Sequence, residues 1–512
     1  MPPKRKFPPY YWRKISQAVF LILFLVLFRL TDYSGQDEIP LAVNIFFRLD
    51  PLVAASAILA GKAVITLVLW SLIVVGLTLI LGRFFCGWFC PLGTLLDLSH
   101  RLLPPRKKPV GSQWRKGKYF LLGFILISAL FGLPVVGYFD PFSLLVRGLT
   151  LAVDPFFNWT VTAPFDLIFQ IGPKTMTAVS EPIYDFLKRF LLPYAQKTFL
   201  WTLLSLAILL SIFALEKLER RFWCRNLCPL GGFLALLSRI TLLRGHILAT
   251  CKGCQVCTQI CRMGAIDNER RIAPDDCNLC LDCLDKCPTS IISFNFKRPE
   301  EKMAPLGISR RSFVGMVSSG ILLPAFFRIR GEGKTPDPFL IRPPGALKEK
   351  DFLNRCVRCG ECMKVCINNA LHPTLLESGL EGVFSPRLVP RIGYCEFNCT
   401  LCGQVCPTGA IRRLALQEKQ RTVIGIAYFD KNHCLPYAKG IPCIVCEEHC
   451  PTPDKAIKFH EVMITNLEGQ SVKIKQPYLV DRLCIGCGIC ENRCPLEGKK
   501  GVEVEGIRPV AV

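Results

Sequence analysis

Between positions 251 and 287 the chain reads CKGCQVCTQIC, a 15-residue spacer, then CNLCLDCLDKC, so two C-x2-C-x2-C-x3-C runs follow one another. This spacing wraps three thiolates around one [4Fe–4S] cube and sends the fourth to a neighbouring cube, so paired runs make a two-cluster module. The expected ligand sets are Cys251, Cys254 and Cys257 with Cys287, and Cys277, Cys280 and Cys283 with Cys261. A pair of zinc ribbons would show two C-x2-C pairs with a longer spacer. The paired triplets, with Pro288 after the last cysteine, favour clusters.

The same chemistry recurs downstream. Four further quartets are Cys356/Cys359/Cys362/Cys366, Cys395/Cys399/Cys402/Cys406, Cys434/Cys443/Cys446/Cys450 and Cys484/Cys487/Cys490/Cys494. The first and last are regular, the second opens with three intervening residues, and the third carries the insertion LPYAKGIP. Zinc is the alternative ligand for the two irregular sets. Pro407, Pro451 and Pro495 follow three of the final cysteines, as in bacterial ferredoxins, whereas Ile367 follows Cys366. Apolar tails such as CPTGAI are expected to cover the cubes and exclude water. Sequential pairing (first quartet with second, third with fourth) and nested pairing (first with fourth, second with third) both satisfy the spacing.

Six quartets use 24 of the 28 cysteines, and two C-x3-C-P motifs use the other four, Cys86/Cys90 and Cys224/Cys228. None is left for a secreted disulfide framework. Thiolates this dense need a reducing compartment for assembly. The net charge of +23 is read as compensation for anionic clusters and as basic loops beside apolar segments, not as a nucleic-acid surface.

A mean hydropathy of +0.34 points to a bilayer. Apolar runs lie at Ile15–Phe28, Ala63–Leu81, Tyr119–Val136 and Phe199–Leu215, and most approach the roughly 20 residues of a membrane span. Lys4, Arg5, Lys6, Arg13 and Lys14 precede the first run. Arg101, Arg106, Lys107, Lys108, Arg115, Lys116 and Lys118 fill the loop between the second and third, and Arg220, Arg221 and Arg225 follow the fourth. The positive-inside rule then puts the N-terminus, that loop and the segment after the fourth run in the cytoplasm. No histidine lies inside an apolar run, so bis-histidine haem is not expected there.

This half repeats itself. RFFCGWFCPLGTLLDLSHRL at 83–102 aligns without gaps onto RFWCRNLCPLGGFLALLSRI at 221–240, and each copy is preceded by an Asp-Pro, at Asp50-Pro51 and Asp140-Pro141. Two similar units predict pseudo-twofold packing. The i, i+4 spacing places Cys86 and Cys90 on one face of a helix, and likewise Cys224 and Cys228. A twofold would gather the four thiols into a site for iron–sulfur or another soft metal; free thiols or a redox disulfide are the alternatives. Asp50 and Asp140 are candidate quinol proton acceptors, although Asp-Pro more commonly begins a helix.

SRRSFVGMVSSGILLPAFF at 309–327 has Arg310-Arg311 ahead of an apolar run, similar to an internal twin-arginine export signal or a fifth anchoring helix. Residues 331–345 are Gly/Pro-rich and read as a linker. The expected architecture is mixed. A four-span α-helical membrane bundle with an internal twofold repeat (1–245) is followed by a two-cluster module (246–297), a junction (298–350) and a four-cluster domain (351–512), both modules α+β and ferredoxin-like.

On CGWFCPLG, CRNLCPLGG, four apolar runs and the module at 251–287, residues 1–297 resemble the NapH-type quinol dehydrogenase membrane component, a core shared with NosR-type proteins. On SRRSF, RPPGAL at 342–347, CVRCGECMKVC and the later quartets, residues 309–512 resemble NapG/MauM-type ferredoxins. The resemblance implies an inner-membrane, multi-pass protein carrying six [4Fe–4S] clusters. Electrons would pass from the quinone pool to a periplasmic reductase or cytochrome, with residues 246–297 cytoplasmic, 351–512 periplasmic and no catalytic side chains. It also implies nested pairing, with Cys494 completing the Cys356 set, Cys366 the Cys484 set, Cys450 the Cys395 set and Cys406 the Cys434 set. A cytoplasmic-facing ferredoxin-linked reductase and a redox factor for maturing a partner metalloenzyme are the competing functions.

Overall fold

In the computed structural model, which describes residues 9–100, 102–104, 112–251, 253–267, 269–297, 308–331, 337, 339–465 and 471–507, the apolar runs become helices broken by tight turns. Lys4, Arg5, Lys6, Arg101, Arg106, Lys107 and Lys108 lie outside the described residues. Helix α1 is Pro9–Leu30. The second run is a 3-10 turn at Thr66–Val68 followed, after a short break, by α3, Ser71–Leu81, and it is preceded by the half-helix α2, Pro51–Gly61. Two short helices carry the first cysteine motif, α4 (Phe84–Trp88) and α5 (Pro91–Ser99). The second repeat supplies α6 (Gly117–Leu130), the half-helix α7 (Pro141–Gly148), α10 (Thr202–Ala214) and α11 (Pro229–Ser238). Between them α8 (Asp154–Ile171) and α9 (Lys174–Phe190) form a hairpin that the apolar runs did not announce. Arg310-Arg311 begin α12, Arg310–Gly331.

Among the described residues no helix is long and apolar enough to cross a membrane. Helices α3, α6 and α10 have 11, 14 and 13 residues, which at 1.5 Å per residue is about 17–21 Å. They nonetheless share one core with α1 and α12, through Phe24, Val74, Leu122, Leu209 and Leu323, and the outward faces carry Val19, Ile22, Val26, Leu72, Ile73, Leu203, Leu210, Val314 and Leu322 exposed. The inward face buries an aromatic cluster in which Phe142 packs on Phe46, Phe47 and Phe85 with ring centroids 5.7–6.2 Å apart.

The two cysteine-rich modules dock at opposite ends of this bundle. At one end Arg13 pairs with Asp282 (3.2 Å), Lys118 with Asp276 (2.5 Å), and the Trp88 indole donates to Leu279 O (3.0 Å). At the other end Tyr138 donates to Val383 O (3.1 Å), Asn44 to Val405 O (3.0 Å) and Arg358 to Pro134 O (2.6 Å). Helix α1 spans both: Arg13 meets the first module, and Asp32, just past its C-terminus, pairs with Lys197 and Lys364 beside the second. Nineteen residues of helix cover about 28 Å. Helix α12 runs parallel to α6, with Met316 against Gly123 and Gly320 against Ile127, and so carries the chain from the first module to the second.

Small antiparallel ribbons close each module. In the first, β1 (Leu243–Ile247) pairs with β2 (Ile292–Phe296). In the second, β3 (Leu371–Pro373) pairs with β4 (Pro386–Leu388), β5 (Gly425–Phe429) with β8 (Val502–Gly506), and β6 (Ile457–Thr465) with β7 (Ser471–Leu479). Residues from the end of the Gly/Pro-rich stretch belong to this body, because Ile341 bridges to Leu388 and Ala346 to Ile411.

Glycines mark both docking points. A Cβ at Gly87 would stand 2.1 Å from Asn278 O, and one at Gly137 would stand 2.1 Å from Val357 O, so backbone meets backbone there. Gly87→Ala and Gly137→Ala are each expected to cost about 1–3 kcal/mol or more by overpacking. Lowered thermal midpoints, with Gly87→Ala loosening the first module and Gly137→Ala the second, would be read by limited proteolysis.

Candidate metal centres

The cysteine runs fold as short loops, each ending in a single helical turn. In the second module one cavity is lined by Cys356, Cys359, Cys362 and Cys406, and a second by Cys395, Cys399, Cys402 and Cys366. A third is lined by Cys434, Cys443, Cys446 and Cys494, and a fourth by Cys484, Cys487, Cys490 and Cys450. The nested arrangement implied by the resemblance is therefore overturned: Cys406, not Cys494, completes the first set, and Cys366 completes the second. Pairing is sequential: the fourth cysteine of each quartet lines the cavity of its immediate neighbour in the chain.

In the first module Cys251, Cys254, Cys257 and Cys287 share a cavity. Cys277, Cys280 and Cys283 each lie within electrostatic reach of Cys261. The first of these sites is the open one, with Cys254 exposed and a cavity of about 290 Å³ against about 20–30 Å³ at the four C-terminal sites.

A shared hydrogen bond supports the cluster reading. The amide of an alanine or isoleucine in the tail after the last cysteine donates to that cysteine's sulfur. The pairs are Ala265 to Cys261 (3.2 Å), Ala370 to Cys366 (3.2 Å), Ile411 to Cys406 (3.4 Å) and Ala456 to Cys450 (3.3 Å). In the GAI and KAI tails after Cys261 and Cys450, and in the NAL tail after Cys366, the alanine supplies that amide, whereas after Cys406 the isoleucine of GAI does. Such amides stabilise a thiolate and tune the potential of a bound cluster. As free thiols these groups are poorly placed, because burial first, and neighbouring cysteines next, push Cys362 and Cys402 well above the usual range. Coordination to iron would hold these cysteines as thiolates. Among the described residues no three His, Cys, Asp or Glu side chains close around a single ion. The thiols surround cavities, the wider spacing that a cube needs.

The four C-terminal sites form a line whose order differs from that of the sequence. Val357 and Cys359 pack into the bundle core, so the Cys356 site is innermost. Cys362 lies within reach of Cys402, placing the Cys395 site next. The Cys395 amide then donates to Cys487 O (2.9 Å), and Cys490 reaches Cys446. The Cys434 site is thus outermost and the Cys484 site precedes it.

The C-x3-C-P motifs do not lie along one helix, as the i, i+4 argument assumed. Cys90 and Cys228 sit at helix N-caps in extended geometry (ψ 115 and 112), because the residue before proline is driven from the helical region. Each of the four thiols is nevertheless within electrostatic reach of the other three. The link is a turn, not a helix face.

Asp50 and Asp140 do begin half-helices. Asp50 Oδ1 accepts the amides of Leu52 and Val53 (2.7 and 3.1 Å), and Asp140 Oδ2 accepts that of Ser143 (2.7 Å). Their remaining oxygens, fully buried, have no donor, and the two carboxyl groups lie within hydrogen-bonding reach of each other. Two facing acceptors of this kind are satisfied by one proton held between them. The sequence showed two Asp-Pro steps; it did not show that they meet.

The 4Fe-4S binding domain family matches residues 63–110 and 198–248, segments that hold the two C-x3-C-P motifs. The methylamine utilization ferredoxin-type protein MauM of Methylorubrum extorquens is 38% identical over 168 residues, 32% of this chain and 71% of that protein. The ferredoxin-type protein NapG of Escherichia coli is 36% identical over 159 residues, 31% of this chain and 67% of that protein. The regulatory protein NosR of Pseudomonas aeruginosa is 27% identical over 256 residues, 48% of this chain and 29% of that protein. No solved structure matches. By these matches, and by cysteine sets that fit [4Fe–4S] clusters, the chain belongs to the MauM/NapG family of ferredoxin-type iron–sulfur electron-transfer proteins.

Proposed function

We propose that the chain is a membrane-embedded electron conduit that takes electrons from quinol and delivers them to a periplasmic reductase or cytochrome. The observation that carries this reading is the docking of cysteine modules at opposite ends of one helix bundle with an apolar outer surface. Bound [4Fe–4S] clusters would supply one-electron transfer at low reorganisation.

The chain's own residues do the rest. The bundle's exposed leucines, isoleucines and valines meet lipid, and the broken helices and half-helices are the form in which irregular backbone is tolerated at membrane depth. Arg13 and Lys118 hold the first module to the cytoplasmic end, and their positive charge favours that side. On this reading helix α12 carries the chain across and residues 351–512 lie in the periplasm; its parallel packing on α6, from the first module toward the second, supports this. As quinol gives up two electrons, one at a time, and two protons, the buried Asp50–Asp140 pair accepts one of those protons in addition to the one its facing oxygens share, and the other is released to water.

Adding reduced quinol to the anaerobic, detergent-solubilised protein is expected to develop the paramagnetic signals of reduced clusters. If only a low-potential ferredoxin does so, the cytoplasmic reductase reading replaces this one. Protease added to spheroplasts is expected to cut within 351–512, and Arg310→Lys with Arg311→Lys to abolish that cleavage while 1–297 stays inserted. Protection of 351–512 in the wild type would refute the periplasmic placement. Asp50→Asn is expected to remove the infrared band of a buried protonated carboxyl and to slow quinol oxidation at least tenfold. An unchanged rate would leave the pair as helix caps.

A further inference from the structure

The six quartets leave the C-x3-C-P cysteines unused, and the bundle gathers them. Cys90 and Cys228 are buried and Cys86 and Cys224 half-buried, all against the main core. The Gly231 amide donates to Cys228 Sγ at 3.3 Å, the same kind of bond that serves the ferredoxin sites.

Two arginines cross between the repeats. Arg221, from the second motif, donates to Cys86 O (3.3 Å) and Gly93 O (3.0 Å) of the first and pairs with Asp97 (2.7 Å). Arg83, from the first motif, lies against Gly231 of the second and donates through Nη1 to Asp275 O (3.0 Å). Both are fully buried, and Arg83 Nε and Nη2 have no acceptor. A buried guanidinium with unused donors costs several kcal/mol unless an anion stands beside it. The groups within its electrostatic reach are Cys86, Asp276, Tyr119 and Cys228, and Asp276 is already held by Lys118 and Arg115.

We propose that Cys86, Cys90, Cys224 and Cys228 together hold a seventh [4Fe–4S] centre, with Arg83 and Arg221 as positioning residues that balance its negative charge. One motif brings two thiols, too few for a cube, so the site exists only between the repeats. Gly87 touches Asn278, next to Cys277, so the centre lies directly beneath the inner site of the first module. When loaded, it would exchange one electron at a time with that neighbouring iron–sulfur centre, the one oxidised as the other is reduced, with no bond made or broken. Its role rests on the conduit reading; its existence does not.

The whole protein, purified anaerobically in detergent, is expected to contain about 28 iron atoms per chain, where six clusters would give about 24. Cys86→Ser and Cys224→Ser are each expected to remove the same four irons and the same paramagnetic signal while the other six persist. Arg83→Gln is expected to keep the iron and lower the midpoint potential of that one centre, because a nearby cation favours the reduced, more negative state; Arg83→Lys is expected to restore it. Wild-type iron near 24, zinc in the four-thiol site, iron unaltered by Cys86→Ser, or a potential unmoved by Arg83→Gln would each overturn the proposal. Quinol oxidation can fail with 28 irons present, which would sink the conduit reading alone.

Discussion

Cys406→Ser is expected to abolish the centre built with Cys356, Cys359 and Cys362, about four irons per chain, and to leave the Cys434 centre intact. Nested pairing predicts the reverse, loss at Cys434, Cys443 and Cys446. The four lining thiols of the innermost cavity, and the Ile411 amide on Cys406 Sγ at 3.4 Å, decide for the first outcome. The functional effect is larger than the loss of a single site. This site is the one packed into the bundle core through Val357 and Cys359, so the three sites beyond it lose their connection. Paramagnetic resonance on the variant reads which centre is missing. In a quinol assay, electrons should no longer reach an acceptor on the outer face, while the first module still reduces. Loss of the Cys434 signal instead would restore nesting.

Asp32→Ala is expected to loosen the second module from the bundle by about 3–5 kcal/mol, the effect of stripping one partner from a buried ion pair. Asp32 receives Lys197 at 2.8 Å and Lys364 at 3.6 Å, and all three are buried. Lys364 also meets Asp154 at 3.0 Å, so the pair is part of a network joining α1, the α8 hairpin and the cysteine loop. The change would appear as a lower unfolding temperature and as faster proteolytic release of residues 351–512. Burial by itself would raise the Asp32 carboxyl, but Lys197 first and Lys364 next outweigh it and hold it below the ordinary value. A depressed carboxylate contributes stability that is full above the unfolded pKa of about 3.9 and is lost as pH falls through the folded value. Wild type should therefore lose its advantage over Asp32→Asn only below about pH 4. An advantage lost nearer neutrality would place the controlling group elsewhere.

Much of the chemistry was legible in the residues. C-x2-C-x2-C-x3-C spacing specifies three ligands of one cube by local geometry alone, and the structure groups those triplets as expected. The RFxC repeat and the paired Asp-Pro steps were equally visible, since an aligned motif needs no tertiary information. The α8–α9 hairpin was not, because Pro164, Pro182 and interspersed charges break the continuous apolar run on which the reading depended.

By itself the sequence picked out the cysteines as candidate ligands and grouped them into local triplets, because that depends on the reach of a few consecutive residues. Tertiary structure alone decided which fourth cysteine closes each of the four C-terminal sets, that Asp50 meets Asp140, that Arg83 and Arg221 cross between repeats, and that the Cys484 site precedes the Cys434 site in space. The physical reason is the same in each case. Ligation within a loop is fixed by covalent connection, whereas partners separated by 29 to 138 residues are chosen by how half-helices and modules pack, and no spacing rule encodes that choice.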